Sequence, residues 1–286
     1  MIKIGIAGAE NSHCTAIAKT INIDRKVPGV SVSMVWGETR EFAENAAEKG
    51  GIPVIADTPS DMQGKVNAAI VDHRDARYHV KTALMFVEAG IPVFIDKPLS
   101  NDPEEAESFL SAARKQGVPV TSFSTVPLQK SFKAFLSKKD QIGRVMRGAV
   151  FGPCDMKSKY GGVIFYGIHQ VELAMNAFGS DIVSVQTVKK GAEGSTNLFY
   201  RSGLLVTLNL IGREWCSFGV AAHGTEGTCS KEITSDKDMY LAGIRRFVRM
   251  FKTGKEPVSH DELLKTVKVL SALKRSVRSG KKERVT

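Results

Sequence analysis

The segment from Ile2 to His13, IKIGIAGAENSH, joins a short apolar run to a turn and the start of a helical pattern. Similar apolar runs recur along the first part of the chain, and helical patterns of about 10–15 residues separate most of them. This alternation is typical of βαβ units and therefore predicts an α/β domain with a doubly wound parallel sheet. The predicted strands are Ile2–Ala7, Val32–Trp36, Asn67–Val71, Pro92–Ile95 and Val118–Phe123.

The pattern changes after a predicted helix at Leu128–Leu136. Short runs joined by turns that contain Gly or Ser predict a largely antiparallel open sheet, and thus an α+β domain. We place the boundary between residues 123 and 124, which gives domains 1–123 and 124–286. The predicted elements of the second domain are the strands Ile182–Val188, Thr196–Arg201, Leu204–Leu210 and Cys216–Ala222 and the helices Met239–Phe251 and Asp261–Val277.

Composition narrows the class of protein. The 286 residues are 42% hydrophobic and 24% charged, which excludes disordered, collagen-like and disulfide-scaffold proteins. The net charge of +10 favours anionic partners, but the basic C-terminal segment has no nucleic-acid-binding motif, so we expect no nucleic-acid partner. No apolar run approaches the roughly 18 residues of a membrane span, and the four cysteines form no CxxC pair. We therefore expect a cytoplasmic protein with no membrane partner.

The turn after the first strand is a candidate phosphate-binding loop, because this position in a doubly wound sheet presents backbone N–H groups to a dinucleotide. The GxGxxG pattern is broken at Glu10 and His13. A Glu10 carboxylate about 4 Å from a phosphate would cost about 1–4 kcal/mol unless it points away or His13 protonates beside it. The alternative is a plain strand-to-helix turn. The candidate cofactor-binding residues here are Gly8, Ala9, Glu10, Asn11, Ser12 and His13, with Asn11 or Ser12 as the alternative helix cap.

Two further strand ends carry candidate cofactor-binding residues. Glu38 follows the second strand, where an acidic residue commonly binds the adenosine ribose, and Arg40 could instead hold a 2′-phosphate. The choice between NAD and NADP therefore stays open. Asp72 and His73 follow the strand that ends at Val71. Alternatively, Glu38 and Arg40 are solvated residues at the start of a helix. Asp72 and His73 could likewise lie in an exposed loop in which Asp72 caps the next helix.

Candidate catalytic residues lie in two segments. Asp96-Lys97-Pro98 stands at a strand end, and the proline favours an extended Lys97 that directs its ammonium group toward the crevice. Asp96 and Lys97 are therefore also candidate cofactor-binding residues. The second segment has two glycines followed by aromatic residues and His169, which suits a close approach of the backbone to a ligand. His169 and Glu172 share a helix face, but two ligands do not make a metal site, so we predict no metal.

The order of these motifs resembles the Gfo/Idh/MocA family of nicotinamide-dependent oxidoreductases over nearly the whole chain. Each motif alone has low specificity for the family, whereas the order and spacing of the motifs together are specific. The matching segments are Lys3–Gly8, Tyr78–His79, Glu88–Val93, Asp96–Pro98, Ile142–Val145, Gly161–His169 and Gly224–Gly227.

The resemblance implies a Rossmann domain followed by an α+β domain, NAD or NADP as cofactor, a sugar or polyol substrate, and a homo-oligomer, either a dimer or a tetramer. It also implies that His169 accepts the hydroxyl proton while Lys97 stabilises the oxyanion. The family often has an aspartate four residues before this histidine, and here the residue is Phe165, so Tyr166 is a candidate replacement. The departures at Glu10 and Phe165 leave a second interpretation, a non-catalytic nucleotide- or sugar-binding sensor on the same fold.

Overall fold

The computed structural model describes residues 1–212 and 216–286. The first sheet consists of the strands β1 (Ile2–Ala7), β2 (Val30–Trp36), β3 (Val54–Ile55), β4 (Ala68–Val71), β5 (Val93–Ile95) and β6 (Val120–Ser122). The second sheet consists of β7 (Val145–Pro153), β8 (Ile182–Lys190), β9 (Glu193–Tyr200), β10 (Leu205–Ile211), β11 (Phe218–Gly224), β12 (Gly227–Ile233) and β13 (Lys282–Arg284). The helices are α1 (Ser12–Ala18), α2 (Arg40–Gly50), α3 (His79–Glu88), α4 (Pro103–Gln116), α5 (Lys130–Lys139), α6 (Ile164–Phe178), α7 (Leu241–Thr253) and α8 (His260–Ser279).

The first sheet is parallel throughout and has the strand order β3-β2-β1-β4-β5-β6. The central strand β4 is buried throughout and β1 is buried from Ile4 to Ala7, as apolar runs covered on both faces should be. The strand order reverses between β1 and β4, so the loops after these two strands meet at the switch point where ligands of such sheets bind. The predicted doubly wound α/β fold is confirmed.

The second sheet has the order β12-β11-β7-β10-β9-β8-β13, and only the β7–β10 pair among the described pairings is parallel. The predicted largely antiparallel α+β domain is therefore confirmed. Its core is formed by the inward side chains of the sheet together with α5, α6 and part of α8. Glycine is required at Gly148, because a Cβ there would lie 2.6 Å from the Phe178 ring.

The chain divides into two compact units, of which one comprises residues 1–100, 104–123 and 240–263 and the other residues 101–103, 124–239 and 264–286. One of the crossings between the two units lies at 123/124. The division into domains 1–123 and 124–286 stays a prediction; it places α7 in the second domain, whereas α7 lies in the first compact unit. Phe247 of α7 stacks on Phe94 of β5 at a ring-centroid distance of 4.4 Å, and this packing explains the difference.

Within the described part of the chain, no helix combines the length and apolar character that crossing a bilayer requires.

Candidate functional site

The turn between β1 and α1 packs directly against the loop that follows β4. Gly8 has φ +111°, and a Cβ at this position would lie 2.5 Å from the backbone nitrogen of His73 and 2.6 Å from the carbonyl carbon of Asp72. Any other residue would thus be both strained and in steric conflict. Glycine at this one position lets the two loops meet and fixes where the following amides point.

Those amides form an anion site, and a glutamate of this chain fills it. The backbone N–H groups of Ala9 and Glu10 both donate to Oε2 of Glu38, each with an N···O distance of 2.9 Å. The other carboxylate oxygen, Oε1, lies 2.7 Å from Nδ1 of His73. Since a carboxylate only accepts hydrogen bonds when ionised, this His73 nitrogen carries the proton. Nε2 of His73 lies 2.9 Å from the hydroxyl of Thr82 on α3.

The electrostatics of Glu38 agree with this geometry. Burial alone would raise the pKa of Glu38, but the hydrogen bonds from His73 and from the amides of Ala9 and Glu10 outweigh burial and lower the pKa to about 2. The side chain of Glu38 retains 25% exposure, and that of His73 only 5%. At neutral pH the turn therefore surrounds a full negative charge with three N–H donors.

A second polar cluster lies next to this turn and is organised by Asn11. Asn11 is the N-cap of α1, and its Oδ1 accepts a hydrogen bond from the backbone nitrogen of His13 at 3.4 Å. Its Nδ2 donates to Asp72 Oδ1 at 3.0 Å and to Asp96 Oδ2 at 3.1 Å. One amide group thus links the loops that follow β1, β4 and β5.

The two carboxylates of this cluster have opposite protonation tendencies. Burial disfavours ionised Asp96, but the Lys97 ammonium at 3.3 Å and the His13 ring at 3.0 Å hold its pKa well below the usual range. Burial and the nearby Asp96 charge raise the pKa of Asp72 well above its ordinary value. Asp72 Oδ2 is buried without a hydrogen-bond partner among the described residues. The pair therefore favours one negative charge rather than two, as expected for neighbouring buried carboxylates.

His13, Asp72 and Asp96 also have the grouping of potential metal ligands, since their ligand atoms lie within 4.8 Å of one another. Sequence analysis predicted no metal and did not identify this cluster. The Asn11 amide already donates to both carboxylates, and Lys97 already neutralises Asp96. A cation bound to Asp96 would compete with the Lys97 ammonium, so we infer that the cluster positions the loops, and the absence of a metal stays a prediction.

A buried histidine connects the loops that follow β4 and β5. Nδ1 of His79 lies 2.7 Å from the carbonyl oxygen of Pro98, and Nε2 lies 2.8 Å from the carbonyl oxygen of His73. Burial lowers the pKa of His79, and a neutral imidazole donates only one of these bonds at a time. The peptide bond between Lys97 and Pro98 is cis. His79 thus joins the backbone beside Lys97 to the backbone of the His73 loop.

The candidate base of the second unit, His169 on α6, is held by a residue that sequence analysis missed. Ser124 Oγ lies 2.7 Å from Nδ1 of His169 and accepts a hydrogen bond from the backbone nitrogen of Val126 at 3.1 Å. The backbone nitrogen of Ser124 donates to Glu172 Oε2 at 2.8 Å. Glu172 therefore serves to hold Ser124 in place. The available signal was a polar residue two positions after the end of β6.

The aspartate position of the family is part of an aromatic cluster in this chain. The Phe165 ring lies 5.0 Å from the rings of both Tyr160 and Tyr166. Tyr166, the predicted replacement, lies 5.8 Å from the His169 ring, centroid to centroid, which is a packing contact. A serine hydroxyl both donates and accepts, so Ser124 can support either neutral tautomer of His169, whereas an aspartate would hold the proton on Nδ1.

The structure corrects several sequence-based alternatives. The loop after β4 is not exposed, because Asp72 is 0% and His73 4% accessible, and Asp75 rather than Asp72 caps the following helical turn. The glutamate at the amides is Glu38, not Glu10. Two candidates do not join the polar site: Ser12 is exposed on α1, and Arg40 is exposed and pairs with Glu44 and Asp57. The candidates brought together are Gly8, Ala9, Glu10, Asn11, His13, Glu38, Asp72, His73, Asp96 and Lys97.

Comparison with known proteins agrees with this fold. Residues 2–124 match the model of the GFO_IDH_MocA oxidoreductase family, described as an NAD-binding Rossmann fold. The myo-inositol 2-dehydrogenase of Lactobacillus plantarum is similar in structure, with a TM-score of 0.87, 17% identity, and coverage of 100% of this chain and 99% of that chain. The scyllo-inositol dehydrogenase of Lactobacillus casei, solved with NAD(H) and scyllo-inositol, has a TM-score of 0.86, 14% identity, and coverage of 100% and 99%. A sequence search of curated proteins gave no match.

The first domain of this chain thus has the Rossmann fold of NAD-binding domains. Residues 2–124 match the Gfo/Idh/MocA oxidoreductase family, so the predicted resemblance is confirmed.

Proposed function

We propose that the chain is an NAD- or NADP-dependent oxidoreductase that transfers a hydride between a nicotinamide and a sugar, a polyol or a related hydroxy compound. The observation that carries this proposal is the pair of amides, from Ala9 and Glu10, that converge on one anionic oxygen at the end of β1. The Glu38 carboxylate stands in for a diphosphate oxygen there, so the loop has the donor chemistry that a dinucleotide needs.

Residues of this chain would transfer the proton and stabilise the developing negative charge. When bound, the nicotinamide accepts the hydride, so the C–H bond of the alcohol carbon breaks with its electron pair. Nε2 of His169 takes the hydroxyl proton while Nδ1–H donates to Ser124 Oγ, and the C=O bond forms. Lys97 stabilises the developing oxyanion with its ammonium group. In this scheme Asp96, Asn11 and His13 act as positioning residues for Lys97 and the loop.

A thermal shift assay tests the proposed cofactor. At a dinucleotide concentration 100 times the Kd, binding should stabilise the fold by ~2.7 kcal/mol, because a ligand that binds only the native state shifts unfolding by mass action. We expect this rise in Tm with NAD or NADP, and no comparable rise with adenosine. An unchanged Tm with both dinucleotides at millimolar concentration would reject the cofactor assignment.

Removing the Ser124 hydroxyl tests the positioning of His169. We expect Ser124→Ala to lower kcat about 2- to 10-fold with little change in KM, because one hydrogen bond to the imidazole is lost. Ser124→Thr, which keeps the hydroxyl, should restore kcat and the pH profile. Ser137→Ala removes an exposed hydroxyl and is the matched control. An equal loss in Ser124→Thr and Ser124→Ala, with unchanged pH profiles, would show a merely structural role.

The sensor interpretation is the second candidate, and Phe165 is the observation that favours it. Aromatic packing at this position offers no charge to stabilise an imidazolium on His169. A sensor would bind a dinucleotide and a sugar yet produce no reduced nicotinamide across a panel of polyols. An oxidoreductase would show an absorbance change at 340 nm with at least one of them.

A further inference from the structure

Aromatic side chains surround the candidate base His169 on α6. Phe165 and Tyr166 lie one turn before His169, and residues three or four positions apart share a helix face. Because helical side chains lean toward the N-terminus of their helix, the imidazole lies over the turn that carries these two rings. The centroid of the Tyr166 ring is 5.8 Å from that of His169. The group that would accept the hydroxyl proton therefore has aromatic neighbours on its own helix.

A glycine turn adds a third ring to these neighbours. Gly161 has φ +113° and Gly162 has φ +65°, so the chain before α6 adopts a conformation that favours glycine. The Tyr160 ring comes to 5.0 Å from the Phe165 ring, centroid to centroid. The Lys159 ammonium lies 4.9 Å from the Tyr160 centroid, and this cation–π contact further stabilises the position of the ring. The residues that we call the aromatic patch are Tyr160, Phe165 and Tyr166.

The aromatic patch offers accessible apolar surface. Its three residues are all partly exposed, whereas His169 itself is buried. A molecule that reaches the imidazole would cover part of these rings, and burial of apolar surface against them is favourable. A hydroxyl group placed against the ring faces would instead lose its water without gaining an equivalent hydrogen bond, which costs free energy. The patch therefore favours a substrate whose surface beside the reacting carbon is apolar.

We infer that Phe165 is a specificity-determining residue and that the substrate presents an apolar face to the aromatic patch, an alkyl or aryl group beside the carbon that carries the reacting hydroxyl. This inference rests on the proposed function and narrows its range of hydroxy compounds. Phe218 of β11 adds to the apolar surroundings, since its ring lies 5.4 Å from the His169 ring, centroid to centroid. The polar partner of His169, Ser124, contacts Nδ1 rather than Nε2, the nitrogen that would take the hydroxyl proton.

Two pairs of probes that differ mainly in apolar surface test this inference. Cyclohexane-1,2-diol and myo-inositol share a carbocyclic ring, and 1-phenylethane-1,2-diol and ethane-1,2-diol share a vicinal diol. We expect the wild type to show a kcat/KM about 10- to 100-fold higher for the more apolar member of each pair. Phe165→Asn should lower this ratio about 10-fold, whereas Phe165→Leu, which keeps an apolar side chain, should retain most of it. Phe151→Asn, at an exposed phenylalanine of β7, is the matched control and should leave the ratio unchanged.

The ratio compares two substrates of one preparation, so it does not depend on the fraction of folded protein. A ratio of one or less in the wild type, or an equal ratio in Phe165→Asn, would overturn the inference, while oxidation of any probe leaves the proposed function standing. If no probe is oxidised, isothermal titration with the same probes, with and without NAD, decides. Tighter binding of the apolar members that Phe165→Asn weakens would uphold the inference and reject the oxidoreductase assignment. Without such a preference in binding, both are wrong.

Discussion

Substitution of Lys97 by alanine is expected to lower kcat for alcohol oxidation by about 10²–10³-fold, the usual effect of removing a donor to a developing oxyanion. The Lys97 side chain is 9% exposed and lies 3.3 Å from Asp96. Its position is thus fixed within the same unit as the amide turn. Steady-state assays with each dinucleotide, combined with a direct measurement of dinucleotide binding, would check the prediction.

The binding measurement distinguishes catalysis from structure, because we expect dinucleotide affinity to stay largely unchanged in Lys97→Ala. Lys115→Ala, which removes an exposed lysine from the last turn of α4, is the control for net charge. Lys97→Ala also leaves the buried Asp96 without its ammonium partner, so Tm must be measured in parallel. Unchanged turnover in a folded variant would remove Lys97 from the mechanism.

Substitution of Gly8 by alanine should produce the second large effect, a loss of about 2–5 kcal/mol in the free energy of unfolding. The positive φ of +111° strains any L-residue, and the added Cβ would meet the His73 backbone nitrogen at 2.5 Å. The Cβ would also lie 2.6 Å from the carbonyl carbon of Asp72. Because both contacts are with backbone atoms, the loops that follow β1 and β4 would have to separate. The Ala9 and Glu10 amides should then lose their common target, and dinucleotide binding should weaken.

Gly64→Ala is the matched control for Gly8→Ala. Gly64 has φ +72°, but a Cβ there meets nothing within 4 Å, so its substitution adds conformational strain without a steric conflict. Urea unfolding should show a clearly smaller loss of stability for Gly64→Ala, with dinucleotide binding intact. Equal losses in the two variants would contradict the role of close packing at Gly8.

Much of the first sheet can be predicted from sequence, because buried parallel strands appear as short continuous apolar runs. β1 was predicted with its observed bounds, and β2, β4, β5 and β6 within two residues at each end. The strands of the second sheet were harder to predict from sequence. The long strand β7 contains two glycines and a terminal proline, and was missed. The short strand β13 consists of charged residues and forms only by pairing with β8.

The candidate site, too, could be predicted from sequence only in part. The sheet edge that carries the polar residues follows from strand order, so Asp72, His73 and Asp96 could be placed there from sequence. The direction of each side chain could not be predicted. The sequence predicted that the Glu10 carboxylate could repel a bound phosphate. In the structure the carboxylate at the amides belongs to Glu38, which is 28 residues away from Glu10 along the chain. Ser124 was missed because its role depends on contacts with α6 that only the folded structure brings together.

A crystal structure determined with saturating NAD tests the central claim most directly. We predict diphosphate oxygens within hydrogen-bond distance of the backbone nitrogens of Ala9 and Glu10. A structure that retains Glu38 on these amides, with no dinucleotide on the turn, would contradict the claim that this loop is a diphosphate site.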